Sequence, residues 1–292
     1  MLSCSTINDR IKMKKVVGII SLALCAMFVQ SSEAADEKVI AILDTAIDSS
    51  KFSNIIYEAC FTGNATCPNN SNFQEGKGAA NVSNWDATGM GHGYNIVYSA
   101  VKTSPTVKIV FVRISNLAPG TTQMAYNEGQ SLSKAIEWVS KNASKYSIDA
   151  VSISQSRSNF TVGTCPSDAV FESAVNSLNK INVSTFVATG NDSLKNSIGF
   201  PSCVAGVIPV GALDPLGNVA SFSNNSSKVR LFANGCLEYK GNTCVKTPDY
   251  AGVMRATSGT SVATPIAVAK LVSKWNGENW TTFLGSLPTN KL

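Results

Sequence analysis

Five apolar runs of strand length, at residues 39–43, 107–112, 150–153, 183–188 and 207–212, do most to limit what this chain can fold into. They are near-continuous rather than alternating, as expected of strands covered on both faces of a parallel sheet. Helical patterns lie between them. Leu132, Ala135, Ile136, Val139 and Ala143 recur at helical spacing. Residues 169–178 and 262–272 are further helix candidates. Strands and helices in alternation predict an α/β fold: a doubly wound, mainly parallel sheet with helices on both faces. With 292 residues, 44% of them apolar and 15% charged, the chain can bury such a core. Neither linker nor internal repeat interrupts residues 35–292, which read as one domain. Residues 60–90, rich in Asn, Gly and Ser, read as an extended surface loop.

Residues 1–34 read as an export signal. Lys12-Met-Lys-Lys15 is a basic start and residues 16–29 are apolar. Ser32-Glu-Ala34 offers small residues for cleavage. The apolar run is short for a bilayer span, so no stable membrane insertion is expected after its removal. The expected location is the periplasm or the medium. Of the formal charge of +5, four basic and two acidic residues lie in this segment, leaving +3. No Lys/Arg run remains, which argues against nucleic acid as a partner.

Two of the eight cysteines, at positions 4 and 25, fall in the leader. An even number remains in an exported chain, which implies disulfides. Cys60–Cys67 and Cys236–Cys244 as local pairs, with Cys165–Cys203 left over, is the simplest set among many. A metal site is a poor reading of these cysteines, with no Cys-x-x-Cys and one histidine.

That histidine, His92, stands in Gly89-Met-Gly-His-Gly93, so any imidazole chemistry runs through it. Asp44 ends the first apolar run, where open α/β sheets place ligand sites, although an aspartate there also serves as a plain turn cap. Ser261 precedes the helical run 262–272. Serine at a helix start is commonly a cap. As a nucleophile it would lie beside unpaired N–H groups and the positive dipole end, both favouring a developing oxyanion. Pro265 suits the first turn of such a helix. Asn191, just past the run 183–188, offers an amide to an oxyanion or is an ordinary turn residue. Asp, His and Ser in this order, with one imidazole base, is the arrangement of one kind of serine hydrolase.

Jointly these segments resemble the subtilisin-like serine proteases, the subtilases. Gly259-Thr-Ser-Val-Ala-Thr-Pro265 is similar to that family's nucleophile signature almost residue for residue. Ile42-Leu-Asp-Thr45, Gly91-His-Gly93 and Ala188-Thr-Gly-Asn191 resemble its aspartate, histidine and oxyanion motifs. The resemblance implies a serine endopeptidase with Ser261 as nucleophile, His92 as base and then acid, and Asp44 orienting the imidazole. Asn191 and the Ser261 backbone N–H would hold the oxyanion. Ser154, Gln155 and Ser156, with Ala188, Thr189 and Gly190, would line the pocket for the side chain before the cut. The implied substrate is a polypeptide and the chemistry needs no cofactor. Family members often bind structural calcium, but no acidic cluster here is assignable to it.

Four departures stand against the family pattern. Ala46 replaces a usual glycine. Tyr94-Asn-Ile-Val-Tyr98 puts Val97 and Tyr98 where very small residues are usual on a packed helix. Ser156 stands where glycine is common. Fewer than ten residues separate Ala34 from Asp44, where many relatives carry a folding prodomain; a separate inhibitor or chaperone is one substitute. The rival functions are a catalytically inactive peptide-binding module and a peptide-joining acyl transferase using the same triad. Gly259-Thr-Ser-Val-Ala263 does not fit the Gly-x-Ser-x-Gly of α/β-hydrolases.

Overall fold

The computed structural model describes residues 37–292 except 84, 86–88, 118–123, 127–130 and 162–163. The expected signal segment lies outside the described residues. Lys38–Leu292 form one compact unit.

Eight strands make the central sheet: β1 (Val39–Asp44), β2 (Ile55–Phe61), β3 (Phe73–Glu75), β4 (Lys108–Arg113), β5 (Ile148–Ile153), β6 (Ser184–Ala188), β7 (Ile208–Leu213) and β8 (Leu231–Asn234). Their order is β8-β7-β6-β5-β1-β4-β2-β3. Neighbours are parallel except β3, which runs antiparallel to β2 at the edge. The five apolar runs are five of the parallel strands. Their continuity has a direct cause in β1. Val39, Ala41 and Leu43 face one core with helices α2 (Ser133–Asn142) and α3 (Ala169–Lys180). Ile40 and Ile42 face another with α1 (His92–Thr103) and α4 (Thr260–Val272). Successive residues point to opposite faces, and both faces are covered.

Eleven of the thirteen residues of α4 are buried, so this helix is apolar all round and central rather than amphipathic. Pro265 falls in its second turn, not the first as the sequence reading had it. A proline there removes the N–H that would bond the Ser261 carbonyl. The Ser154 hydroxyl donates to that carbonyl instead, at 2.8 Å.

The segment 60–90 is less of a surface loop than its composition predicts. It contributes β3, and Ala79, Ala80, Val82 and Met90 are buried. Buried Glu58 on β2 pins it: the carboxylate accepts from Gly78 N–H at 2.8 Å and Ala80 N–H at 3.1 Å. Glycine and asparagine gave the loop reading; a carboxylate that binds the turn from inside the sheet carries no local sequence signal.

All three expected disulfides form: Cys60–Cys67, Cys165–Cys203 and Cys236–Cys244. Cys165–Cys203 spans 38 residues, against 7 and 8 for the others. Loop-closure entropy therefore assigns it the largest share. Cys165→Ser with Cys203→Ser is expected to cost about 4 kcal/mol, against about 2.5 kcal/mol for the Cys60–Cys67 pair. Urea unfolding of the two double variants checks the difference.

Candidate active site

The candidate residues converge at the carboxyl ends of the strands, where open α/β sheets bind ligands. Asp44 is the last residue of β1 and is fully buried. Its Oδ1 accepts from His92 Nδ1 at 2.7 Å and from Thr45 N–H at 2.7 Å. His92 opens α1, with its side chain 28% exposed. Burial alone would lower the imidazole pKa. The Asp44 charge and hydrogen bond outweigh it and hold the pKa above the ordinary histidine value. Since Nδ1 gives its proton to Asp44, the other nitrogen is the one left for chemistry.

Thr45 fixes the approach of the two elements. Its hydroxyl donates to the Met90 carbonyl and accepts from Gly93 N–H, both at 2.8 Å. Gly93 is required by contact: a β-carbon there would lie 2.5 Å from the Ala46 carbonyl oxygen. Ala46 itself is buried and has no positive φ. The position needs a small residue, not a glycine, and the first departure carries no backbone strain. Val97 and Ala100 of α1 share a core with Ala263, Ala267 and Ala269 of α4. Small residues on α4 thus make room for the larger ones on α1. Tyr98 lies at the rim, ring against Tyr94 with centroids 6.2 Å apart.

Ser261 stands in the first turn of α4. Asn191 follows β6 and is fixed by the residue before Ser261. Its Oδ1 accepts from Thr260 N–H at 2.9 Å and from the Thr260 hydroxyl at 3.1 Å. With the oxygen so engaged, Nδ2 is left to donate. Gly259 joins the two groups: a β-carbon there would lie 3.0 Å from Ser261 Oγ and 3.3 Å from Asn191 Nδ2. Its φ of +152° and this crowding both call for glycine. Buried Asn224 sets the turn after β6, its Oδ1 accepting from Asp192 N–H at 2.9 Å and Leu194 N–H at 3.1 Å.

Segment 154–156 bridges the two halves. Ser154 donates to the Ser261 carbonyl, and the Gln155 amide lies 3.4 Å from His92 Nδ1. That nitrogen's proton is already committed to Asp44, so the Gln155 contact is packing rather than a hydrogen bond. Ser156 Oγ lies between two glycines: 3.3 Å from a β-carbon position at Gly190, and in collision with one at Gly199. Ala188, Thr189 and Gly190 are buried beside it, with Gly199 N–H donating to the Thr189 carbonyl at 2.9 Å. Gly199 was not singled out from sequence. Among the described residues no hydrogen bond joins His92 to Ser261. The Ser261 hydroxyl is turned toward Gly259.

Thr45, Thr260 and Asn224 also escaped the sequence reading. A signal existed for the first two, a hydroxyl residue directly flanking Asp44 and Ser261. For Asn224, 33 residues beyond Asn191 in sequence, there was none.

The subtilase family model matches residues 35–283. The chain belongs to the subtilase family. It is 26% identical over 246 residues to subtilisin Savinase of Lederbergia lenta, covering 83% of this chain and 78% of that one. An alkaline protease of Shouchella clausii matches equally, 26% over 83% of this chain, but the match spans 55% of that protein. Among solved structures, a protease from Pseudoalteromonas arctica superposes with a TM-score of 0.63 at 17% identity, covering 87% of this chain and 85% of that one. The fold is therefore the subtilisin-like α/β fold and the family function is of serine-protease type, with polypeptide as substrate.

Among the described residues no three His, Cys, Asp or Glu side chains converge. Among them, too, no helix is long and apolar enough to cross a membrane.

Proposed function

We propose that this subtilase is an exported serine endopeptidase acting through Asp44, His92 and Ser261. The observation that carries the reading is the 2.7 Å bond from the only imidazole of the chain to a buried carboxylate, at the strand ends where Ser261 also lies. A merely structural histidine with its side chain 28% exposed would need no such partner; a base that must accept and return a proton does.

The roles follow from the atoms. Ser261 Oγ turns from Gly259 toward His92, attacks the scissile carbonyl and gives its proton to the second imidazole nitrogen. Catalytic hydrogen bonds are often long before substrate binds and tighten in the complex. The imidazolium is stabilised by Asp44 and returns the proton to the leaving amine. Water then hydrolyses the acyl-enzyme by the reverse use of the same groups. Asn191 Nδ2 and the Ser261 backbone N–H receive the oxyanion. Ser156 Oγ fills space between Gly190 and Gly199, so the pocket before the cut suits a small side chain.

Asn191→Ala is expected to lower kcat by about 10² to 10³ with KM little changed, the cost measured for such a donor in a subtilisin. Steady-state kinetics on a quenched peptide read both constants. The reading as a whole is tested on the folded, oxidised protein. Covalent labelling by a fluorophosphonate together with casein cleavage is the expected result. Protein that neither labels nor cleaves would instead be a peptide-binding module, and joined rather than cut peptide would make it an acyl transferase.

A further inference from the structure

The catalytic reading leaves one built feature unused, the hairpin of Thr247–Pro248 and Met254–Arg255 that precedes α4. A single side chain fixes its turn. Asp249 accepts from the N–H groups of Ala251 and Val253, each at 2.9 Å, and from Arg255 Nε at 2.7 Å. The turn holds apolar side chains out in water: Val253 is 48% exposed and Met254 54%. Apolar groups held out by a braced turn, rather than scattered singly, are the kind of surface that binds something.

Tyr250 ties this turn to the site. Its ring stacks on Trp85, centroids 5.3 Å apart and planes 25° apart. The same ring presses on Gly91, where any β-carbon would collide with it. Gly91 caps α1 and directly precedes His92. Along α1, burial, Tyr98 and the Asp249 carboxylate together push the Tyr94 phenol up. Both Trp85 and Tyr250 are half-buried.

We propose that Trp85, Tyr250, Val253 and Met254 form a subsite for an aromatic or large aliphatic side chain of the polypeptide, on the side of the cut that departs with the amine. The inference rests on the endopeptidase reading. Under it the acyl half of the substrate lies along 154–156 and 188–190, and His92 returns its proton to the leaving nitrogen. A surface built onto the residue before His92 therefore meets the chain beyond that nitrogen. Stacked rings and a methionine give a flat, adaptable apolar face that suits such side chains.

Two internally quenched peptides test this, identical but for the two residues after the cut, Phe-Leu in one and Gly-Gly in the other, with mass spectrometry fixing the cut. Wild-type kcat/KM should favour the first by roughly tenfold, a typical gain for one well-filled apolar pocket. Tyr250→Ala and Met254→Ser should each shrink that ratio markedly, whereas Tyr250→Phe, which keeps the ring, should preserve it. So should Leu216→Ser, which alters an exposed apolar residue of another turn. Because the readout is a ratio, a general loss of activity in a variant does not mimic the effect. Protein that labels with fluorophosphonate but shows no preference, or a preference that survives Tyr250→Ala, overturns the subsite alone. Protein that does not label overturns the endopeptidase reading and the subsite with it.

Discussion

Ser261→Ala is expected to lower kcat by about 10⁶, and His92→Ala by a similar amount, the scale measured for the nucleophile and base of a subtilisin. The double variant should fall no further. The reason is that the two side chains perform one act. A serine hydroxyl does not ionise usefully near neutral pH, so its attack on a carbonyl needs a base to take the proton as the bond forms. Without the hydroxyl the base has nothing to deprotonate, and without the base the hydroxyl is inert. The sequence adds a condition that sharpens the test: His92 is the only histidine, so no second imidazole can substitute. What survives in any of the three variants is the contribution of Asn191 and the Ser261 N–H to oxyanion binding, about 10³ to 10⁴ over water. Turnover of a quenched peptide, with active sites counted by fluorophosphonate in the wild type, gives the values. Double-variant activity far below either single would mean that the groups act separately, and the triad reading would fail.

The supporting structure was legible in sequence to the extent that it depends on burial. Strands covered on both faces leave unbroken apolar runs, which is why residues 39–43 and 183–188 are strands β1 and β6 within a residue. β2 was missed because Glu58 interrupts it, and the amides of Gly78 and Ala80 that make Glu58 tolerable lie about twenty residues away in sequence. The site divides in the same way. Asp44, His92, Asn191 and Ser261 could be read because each occupies a motif whose neighbours are short-range. Thr45, Thr260 and Asn224 act by hydrogen bonds that exist only once segments 45 to 70 residues apart, or 30 to 35 in the case of Asn224, have met. Pro265 shows a local rule misapplied. Its place in the second turn is tolerated because Ser154, 107 residues from Ser261, supplies the lost hydrogen bond.

Asp44→Asn is expected to lower kcat by about 10⁴ at neutral pH, and to move the acid limb of the pH profile downward. Both effects come from one bond. Oδ1 accepts the His92 Nδ1 proton at 2.7 Å, which holds the second ring nitrogen unprotonated and ready to act as base. An asparagine can turn an N–H toward Nδ1 instead, favouring the other tautomer and leaving the wrong nitrogen at Ser261. The pH shift follows from charge. Burial lowers the His92 pKa, and only the Asp44 charge and hydrogen bond hold it above its ordinary value of 6.5. Remove the charge and burial acts unopposed, so the imidazole loses its proton at lower pH than in the wild type. The wild-type acid limb should accordingly lie above pH 6.5 and that of the variant below the wild-type limb. Stability carries the same sign. The folded protein binds the His92 proton more tightly than the unfolded chain, so the pair stabilises the fold fully below about pH 6.5 and that contribution is lost as pH rises through the folded-state value. In Asp44→Asn it should be absent, flattening the pH dependence of thermal unfolding over that window. Rate profiles and melting curves taken on the same two proteins measure both. A variant whose acid limb stays in place, or rises, would mean that Asp44 does not set the charge on His92, whatever its effect on rate.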